Sequence, residues 1–414
     1  MYTKKLISKK LISKKLKSKK LKSKKLKSKK TKTHKIKRKQ IYAKLFDFDE
    51  KIFSQVFDRK HWNRVNRNQI LKTKYVDMIL VFGNDMYDKQ LWNIKSYWKS
   101  IVSIPDMLNK YLLHKLLLKT NIIAPTILID KSEKPPNLAK ISKPYSDQIW
   151  IWRTDNKIGG GMDVAIITNQ DELDKIFLEF LAKKNTASGG NNAILSKYIT
   201  NPSLWINPND KLSYKYHLRI YLLIVATKNN ENMKRIKCRA GVFKYGEIVL
   251  AEKMYHSGDW NNTDIHDTHF THGYANFPDD YQNQKYNSNH VFQEICQTLK
   301  YTVDITIRES LEFHPEAINN FQIFGCDFML DNNGNVILIE INNMPSFQLK
   351  QSNLYKGTQI TKNTRLVIHK IALTNIINYV VKYKEDKYKS SIKEQISNKS
   401  LDIVEIFNSY QDTR

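Results

Sequence analysis

The chain is poor in cysteine. Its 414 residues include only Cys238, Cys296 and Cys326, which lie far apart and form no C-x-x-C pair. A disulfide framework or a cysteine-based structural zinc site is therefore not expected, and a reducing cytosol or nucleus is the expected home. No run of about 18 apolar residues exists, so no transmembrane helix is expected. The N-terminus has charge but no apolar core segment, so it does not read as a secretory signal. Acidic residues are missing from the first 40 positions, which hold 20 Lys or Arg. The other 49 basic residues stand against 40 acidic ones, so only +9 of the formal +29 belongs to the rest of the chain. The body is mildly basic and the tail extremely so. With 41% hydrophobic residues, the length suffices for two or three domains and a sizeable core.

The tail repeats a five-residue unit: KKLIS twice, KKLKS three times, then KKTKT. Five residues advance a helix by roughly 500°, so successive leucines step around the axis and form no stripe. Like-charge repulsion favours a solvated, extended chain. Residues 1–40 read either as a disordered solubilising tail or as an electrostatic anchor for a polyanion: nucleic acid, an acidic protein surface or a nuclear import receptor.

The chain is expected to divide into five segments: the tail 1–40, an N-terminal domain 41–118, a central block 119–205, a third block 206–383 and a helical extension 384–414. Residues 76–82 read as a buried strand. Tyr97 to Leu118 reads as helix, broken by Pro105 and restarting at the N-cap Asp106. The central block has strands near 124–129, 148–153, 163–167 and 193–198, with a helix over 170–184. The third block has strands at 216–226 and 239–245 and a hairpin over 321–346. An amphipathic helix at 366–381 closes it. A last helix is expected through Ile392, Ile396, Ile403, Val404 and Phe407. Strands and helices without strict alternation point to an α+β or mixed α/β fold.

The hairpin Phe321–Ser346 is the most informative stretch. Two strands flank the polar turn Asp331-Asn332-Asn333-Gly334. The first carries a lone acid, Asp327, among Phe324, Phe328, Met329 and Leu330. The second carries Glu340 and Asn342 among Ile337, Leu338, Ile339 and Ile341, two apart and so on one face. An ionised carboxylate in a buried strand is costly unless something compensates it. Three oxygen donors on facing strands are what hard Mg²⁺ requires, so the hairpin reads as a magnesium floor with a nucleotide triphosphate above it.

Other motifs are weaker alone. Gly159-Gly160-Gly161 follows Arg153 between two strands; it could bring backbone N–H groups to phosphate, or be a plain surface turn. Ser196-Lys197-Tyr198-Ile199 ends a strand. It could present backbone to an adenine edge and Lys197 to a phosphate, or be an ordinary strand exit. Lys215, His217 and Arg219 alternate with Tyr216, Leu218 and Ile220, which puts three potential cations on one strand face. Arg239, Gly241 and Lys244 on the next strand could extend that basic surface. Basic strands opposite an acidic hairpin make a phosphate-and-metal cleft.

Taken in order, these motifs resemble the tubulin–tyrosine ligase-like family, whose members have an ATP-grasp fold. The family runs through a strand ending in Lys, a Gly-rich loop, Gln-Lys-Tyr-Ile, Lys-Phe-Asp-Leu-Arg, Arg-x-Gly, Leu-Thr-Asn, Phe-Asp-Phe-x-x-Asp and Glu-x-Asn-x-x-Pro-Ser. This chain has Trp150-Ile151-Trp152-Arg153, Gly159–Gly161, Ser196-Lys197-Tyr198-Ile199, Lys215-Tyr216-His217-Leu218-Arg219 and Arg239-Ala240-Gly241. It continues with Phe270-Thr271-His272, Cys326-Asp327-Phe328-Met329-Leu330-Asp331 and Glu340-Ile341-Asn342-Asn343-Met344-Pro345-Ser346. The resemblance spans about residues 75–383.

The resemblance implies an ATP-dependent carboxylate–amine ligase using ATP and Mg²⁺. Asp327, Glu340 and Asn342 would hold the metal. Lys215, Arg219 and Arg239 would contact the phosphates and the transferred phosphoryl group. Arg153, Gly160 and Gly161 would lie along the phosphates, and Lys197, Tyr198 and Ile199 would form the nucleotide hinge. His217 and His272, in place of the family's Asp and Asn, would line the nucleotide surroundings, and Arg153 stands in place of Lys. The implied partner is a protein acceptor, with the acidic tails of tubulin as the candidate, in the cytoplasm or nucleus and away from membranes. A catalytically inactive relic that binds a polyanion and a ligase for a small peptide or metabolite are the alternatives.

Overall fold

The computed structural model describes residues 38–44, 62–81, 89–100, 102–132, 134–141, 149–155, 164–182, 192–206, 211–228, 235–268, 271–276, 286–313, 317–342, 345 and 403–412. Apart from Arg38, all belong to one compact unit, Lys39–Arg414. The strands are β1 (Lys39–Lys44), β2 (Trp62–Arg64), β3 (Tyr75–Val81), β4 (Lys95–Lys99), β5 (Val102–Ser103), β6 (Thr126–Asp130), β7 (Trp150–Thr154), β8 (Val164–Ile167) and β9 (Asn192–Lys197). They continue with β10 (Leu204–Ile206), β11 (Ser213–Lys228), β12 (Arg235–Met254), β13 (Thr271–Asn276), β14 (Glu312–Phe313), β15 (Ala317–Leu330), β16 (Val336–Asn342) and β17 (Ile403–Asp412). Among the described residues strands outweigh helices, in a mixed α+β fold. No helix among the described residues is long and apolar enough to cross a membrane.

Eleven of the described strands form one mixed sheet in the order β13-β12-β11-β15-β4-β3-β1-β2, with β10 on β11, β16 on β15 and β17 on β12. The sheet joins the N-terminal strands to the third block, because β4 pairs in parallel with β15 from Ser96↔Ala317 to Lys99↔Asn320. A second sheet, β6-β9-β7-β8, lies wholly within residues 119–205. The helix Gln170–Ala182 covers it with Leu173, Phe177 and Phe180, and Trp152 packs edge-on to both phenylalanines at 6.4 and 5.5 Å.

The main core lies on one face of the large sheet. Along β11 the even positions Leu218, Ile220, Leu222, Ile224 and Ala226 point into it. The helix Ser288–Ser310 lies in the same cluster through Val291, Ile295, Leu299, Val303 and Ile307, spaced by four. Burying each of these side chains contributes roughly 1.5–3 kcal/mol. Asn287 caps this helix by accepting from the N–H groups of Asn289 and His290. Thr298, Thr302 and Thr306 are buried on it; the hydroxyls of Thr302 and Thr306 donate to carbonyls one turn back, at 2.8 and 2.7 Å.

Two expectations are corrected. Tyr97–Lys99 is not helical: it lies in β4, between β3 and β15, and the aromatic and β-branched run 97–102 suits a strand better. The helix starts at Pro105, where a missing N–H costs nothing, and restarts at Lys110 after Asn109 accepts from the Leu112 N–H. Ile403–Asp412 is not helical either. It is β17, antiparallel to the first half of β12 from Phe243↔Ile403 to Arg235↔Asp412, and it buries Ile406 and Phe407. The open edge of β12 supplies a ladder that an isolated helix there would lack. The expected helix over 366–381, Ile392 and Ile396, the tail 1–37 and the loop Gly159–Gly161 lie outside the described residues.

Candidate active site

The site grows from the register of three antiparallel strands. Arg219 of β11 faces Asp327 of β15, Asp327 faces Glu340 of β16, and Gly325 faces Asn342. A β-bulge separates the pairs Asp327↔Glu340 and Phe328↔Leu338. It switches β16 so that Leu338 and Ile341 both enter the core while Glu340 and Asn342 share the other face with Asp327. Asp331 shapes the turn below: its carboxylate accepts from the N–H groups of Asn333 and Asn335 at 2.8 and 2.9 Å, and Gly334 takes φ +87°. Gly325 leaves room at the site. A Cβ there would lie 3.0 Å from the Pro345 Cβ and 3.6 Å from the Arg219 Cδ.

Arg219 grips Asp327 with two hydrogen bonds, Nε to Oδ1 at 2.7 Å and Nη2 to Oδ2 at 2.6 Å. Burial alone would weaken the guanidinium's hold on its proton, but Asp327 and Glu247 reverse that and raise it. The Asn342 amide nitrogen bridges the two carboxylates, 3.2 Å from Asp327 Oδ2 and 2.9 Å from Glu340 Oε1. Lys110, on the helix Lys110–Leu117, reaches Glu340 Oε2 at 3.1 Å. Burial would raise the Glu340 carboxyl; the Lys110 charge, hydrogen bonds from Asn342 and Lys110, and the Arg153 charge outweigh it and hold the group at about 2. Glu340 is therefore ionised throughout the neutral range.

Arg153 bridges the two sheets. Its Nη1 donates to the Ile339 carbonyl at the bulge, 3.1 Å away, and its Nη2 to Ser196 Oγ at 3.3 Å. Beside it His114 bonds Thr126 Oγ1 at 3.1 Å. Burial first, then Arg153, lowers its pKa to about 3, so it is neutral.

At the other end of the basic strand Lys215 donates to the Tyr198 hydroxyl and to the His266 carbonyl, the latter at 3.2 Å. The Lys197 and Tyr198 amides already donate to the Pro125 and Ile149 carbonyls, at 2.8 Å each. The half-buried Ile199 follows. His217 Nδ1 lies 2.6 Å from Thr268 Oγ1, and its Nε2 lies 3.8 Å from Asp327 Oδ1. Along β12, Val249 faces His217 on one side and His272 of β13 on the other, so the two histidines stand two strands apart in one row.

The structure brings Lys215, His217, Arg219, Asp327, Glu340, Asn342 and Arg153 to one region, but not Arg239. Arg239 faces Val225, six positions along β11 from Arg219, or about 20 Å. Its guanidinium is held by Glu405 of β17, with Nε 2.7 Å from Oε2. The residue opposite Arg219 on β12 is instead an acid, Glu247, which is buried and accepts the Tyr221 hydroxyl. The Arg-x-Gly pattern gives residue types but no register. Glu247, Tyr221, Lys110 and His266 are the site residues that sequence reasoning missed.

Residues 259–362 match the model of the tubulin-tyrosine ligase family. The family resemblance read from the motifs is borne out. No curated protein matches the chain. The matched segment contains Asp327, Glu340 and Asn342 and supports an ATP-dependent ligase of the tubulin-tyrosine ligase type. Ligases of the tubulin-tyrosine ligase family generally use ATP and Mg²⁺. The chemistry of the residues present fits the metal: the Asp327 and Glu340 carboxylates meet at the Asn342 amide nitrogen, and the Asn342 side-chain carbonyl adds a third oxygen of the kind Mg²⁺ takes. No group of three or more His, Cys, Asp and Glu among the described residues is placed to hold a metal ion by itself, so a third oxygen would have to come from Asn342.

Arg239→Ala is expected to change catalysis less than about twofold, since the side chain ties β12 to β17 at the sheet edge. Initial rates for native and variant protein check this; a hundredfold loss would return Arg239 to the site.

Proposed function

We propose that the chain is an ATP-grasp ligase that joins an amino acid to a protein carboxylate through an acylphosphate, with the acidic tails of tubulin as acceptor. The observation that carries this reading is the convergence of Asp327, Glu340 and Asn342, ringed by Arg219, Lys110 and Arg153. Asp327, Glu340 and Asn342 would hold Mg²⁺, which neutralises charge on the ATP phosphates. Arg219 keeps Asp327 ionised and fixed, and Lys110 does the same for Glu340. Lys215 and Arg153 add positive charge along the strand faces that would meet the polyphosphate. The acceptor carboxylate attacks the γ-phosphorus, the bond to the bridging oxygen breaks, and ADP leaves. An incoming α-amine then attacks the acyl carbon, phosphate departs with the bonding pair, and the amine gives up a proton as the amide forms. The protein's part is charge neutralisation and positioning.

The lysine-rich residues 1–40 would steer an acidic acceptor toward the cleft. Such an acceptor puts the protein in the cytoplasm, with a nuclear pool compatible with the basic tail. The test offers labelled glutamate, glycine and tyrosine with ATP to tubulin, using the full chain and one lacking residues 1–37, a cut that leaves β1 whole. Label on tubulin in one arm, weaker at low salt without the tail, is the expected result. ATP turnover without label on tubulin would move the acceptor to another protein or a small peptide.

A further inference from the structure

Lys215, Tyr198 and His266 come from three separated parts of the chain and form one continuous line of hydrogen bonds. Lys215 Nζ donates to the Tyr198 hydroxyl and sits 4.3 Å from the centre of the Tyr198 ring. The same hydroxyl lies 2.7 Å from His266 Nδ1. His266 Nε2 lies 2.8 Å from the Asp259 carbonyl, which can only accept, so Nε2 carries the proton. In the neutral ring Nδ1 then accepts from Tyr198, which leaves the tyrosine oxygen free to accept from Lys215. Trp260 stacks on His266 with ring centres 5.4 Å apart and meets Tyr198 edge-on at 5.6 Å, which fixes both rings.

We propose that Tyr198 and His266 are positioning residues for Lys215, forming a hydrogen-bonded relay that holds its amine in the cleft and sets the pH range in which it carries charge. The groups facing Lys215 are Tyr198 from the segment after β9, and His266 with Asp267 at the end of the helix Thr263–His266. Tyr255, at the end of β12, adjoins Tyr198 and donates to the Thr200 carbonyl at 2.6 Å. Burial lowers the Lys215 pKa to about 7 against the opposing pull of Asp267. Burial raises that of Tyr198, and burial is also the largest cause lowering that of His266, so the tyrosine keeps its proton and the ring stays neutral. Lys215 is then charged below about pH 7 and neutral above it.

The consequence for ATP rests on the ligase reading. Affinity should fall as the pH rises from 6 to 9, by roughly tenfold for one charged hydrogen bond. Lys215→Arg, which cannot lose its charge in this range, should flatten that dependence. Tyr198→Phe removes the acceptor for the cation and should move the Lys215 midpoint down by about one pH unit. His266→Phe keeps the stack on Trp260 but removes the partner of the hydroxyl, and should move it the same way by less.

The experiment has two readouts. NMR titration of the lysine amines follows Lys215 directly, with its signal assigned by its absence from Lys215→Arg, and calorimetry follows ATP binding over the same pH range. A Lys215 midpoint near 7 that moves down in both variants supports the relay, even in a chain that binds no ATP, where the ligase reading alone is lost. A midpoint above 9, or one unmoved in Tyr198→Phe and His266→Phe, overturns the relay whether or not ATP binds.

Discussion

Asp327→Ala should destabilise the fold by roughly 3–5 kcal/mol and abolish ATP-dependent ligation, because it leaves a largely buried guanidinium, its side chain 13% exposed, without its counter-charge. Asp327 is 3% exposed and takes both hydrogen bonds of the Arg219 grip. Without the carboxylate, Glu247 is the acid left acting on Arg219 among the described residues, and that carboxylate already accepts the Tyr221 hydroxyl. Asp327→Asn keeps the shape and one acceptor oxygen and should cost about half as much. The double replacement Arg219→Met with Asp327→Leu removes both charges together. It should recover most of the stability, since apolar pairs of similar volume commonly replace buried ion pairs without loss, yet remain inactive. Urea unfolding of the four proteins separates the cost of the broken pair from the loss of chemistry. A single Asp327→Ala variant as stable as the native chain would mean that the grip is not formed.

Glu340→Gln should do the opposite, keeping the fold and losing the reaction. The carboxylate is partly open to solvent, with its side chain 20% exposed, and its partner Lys110 is 26% exposed. Solvent screens an ion pair in that setting, so its loss should cost a few kcal/mol at most. Asn342 can still donate to the glutamine carbonyl. What disappears is the negative charge that makes this position a ligand for a divalent cation. A loss of roughly 100- to 1000-fold in turnover, with a thermal midpoint within a few degrees of native, is the expected pair of results. Turnover rates and thermal unfolding of the same preparation check it.

The contrast between these variants shows what the sequence could reveal about the site. Asp327, Glu340 and Asn342 sit on one hairpin, so a two-residue spacing was enough to put Glu340 and Asn342 on one face. Arg219 was readable by the same alternation with Lys215 and His217. Lys110 was not, because its partner Glu340 lies 230 positions away and nothing local distinguishes it from a solvated helical lysine. The failure at Arg239 has a different cause. β12 is 20 residues long, and a short motif cannot say which of its residues lies opposite Arg219. Register put Glu247 there. In the fold, strands with runs of Ile, Val and Trp were legible. The helix Ser288–Ser310 was not, since its buried face includes threonines, of which Thr302 and Thr306 turn their hydroxyls back to carbonyls of the helix itself. Strand β17 could not be read locally either, because the open edge of β12 decides its conformation.

The central claim is that the face formed by Asp327, Glu340 and Asn342 is the metal end of an ATP site. Calorimetric titration of the full chain with ATP, with and without Mg²⁺, tests it most directly. Binding at least about tenfold tighter with Mg²⁺, and loss of that metal dependence in Glu340→Gln, is the expected result. ATP binding of equal strength with and without Mg²⁺, or the same metal dependence in Glu340→Gln as in the native chain, would contradict it.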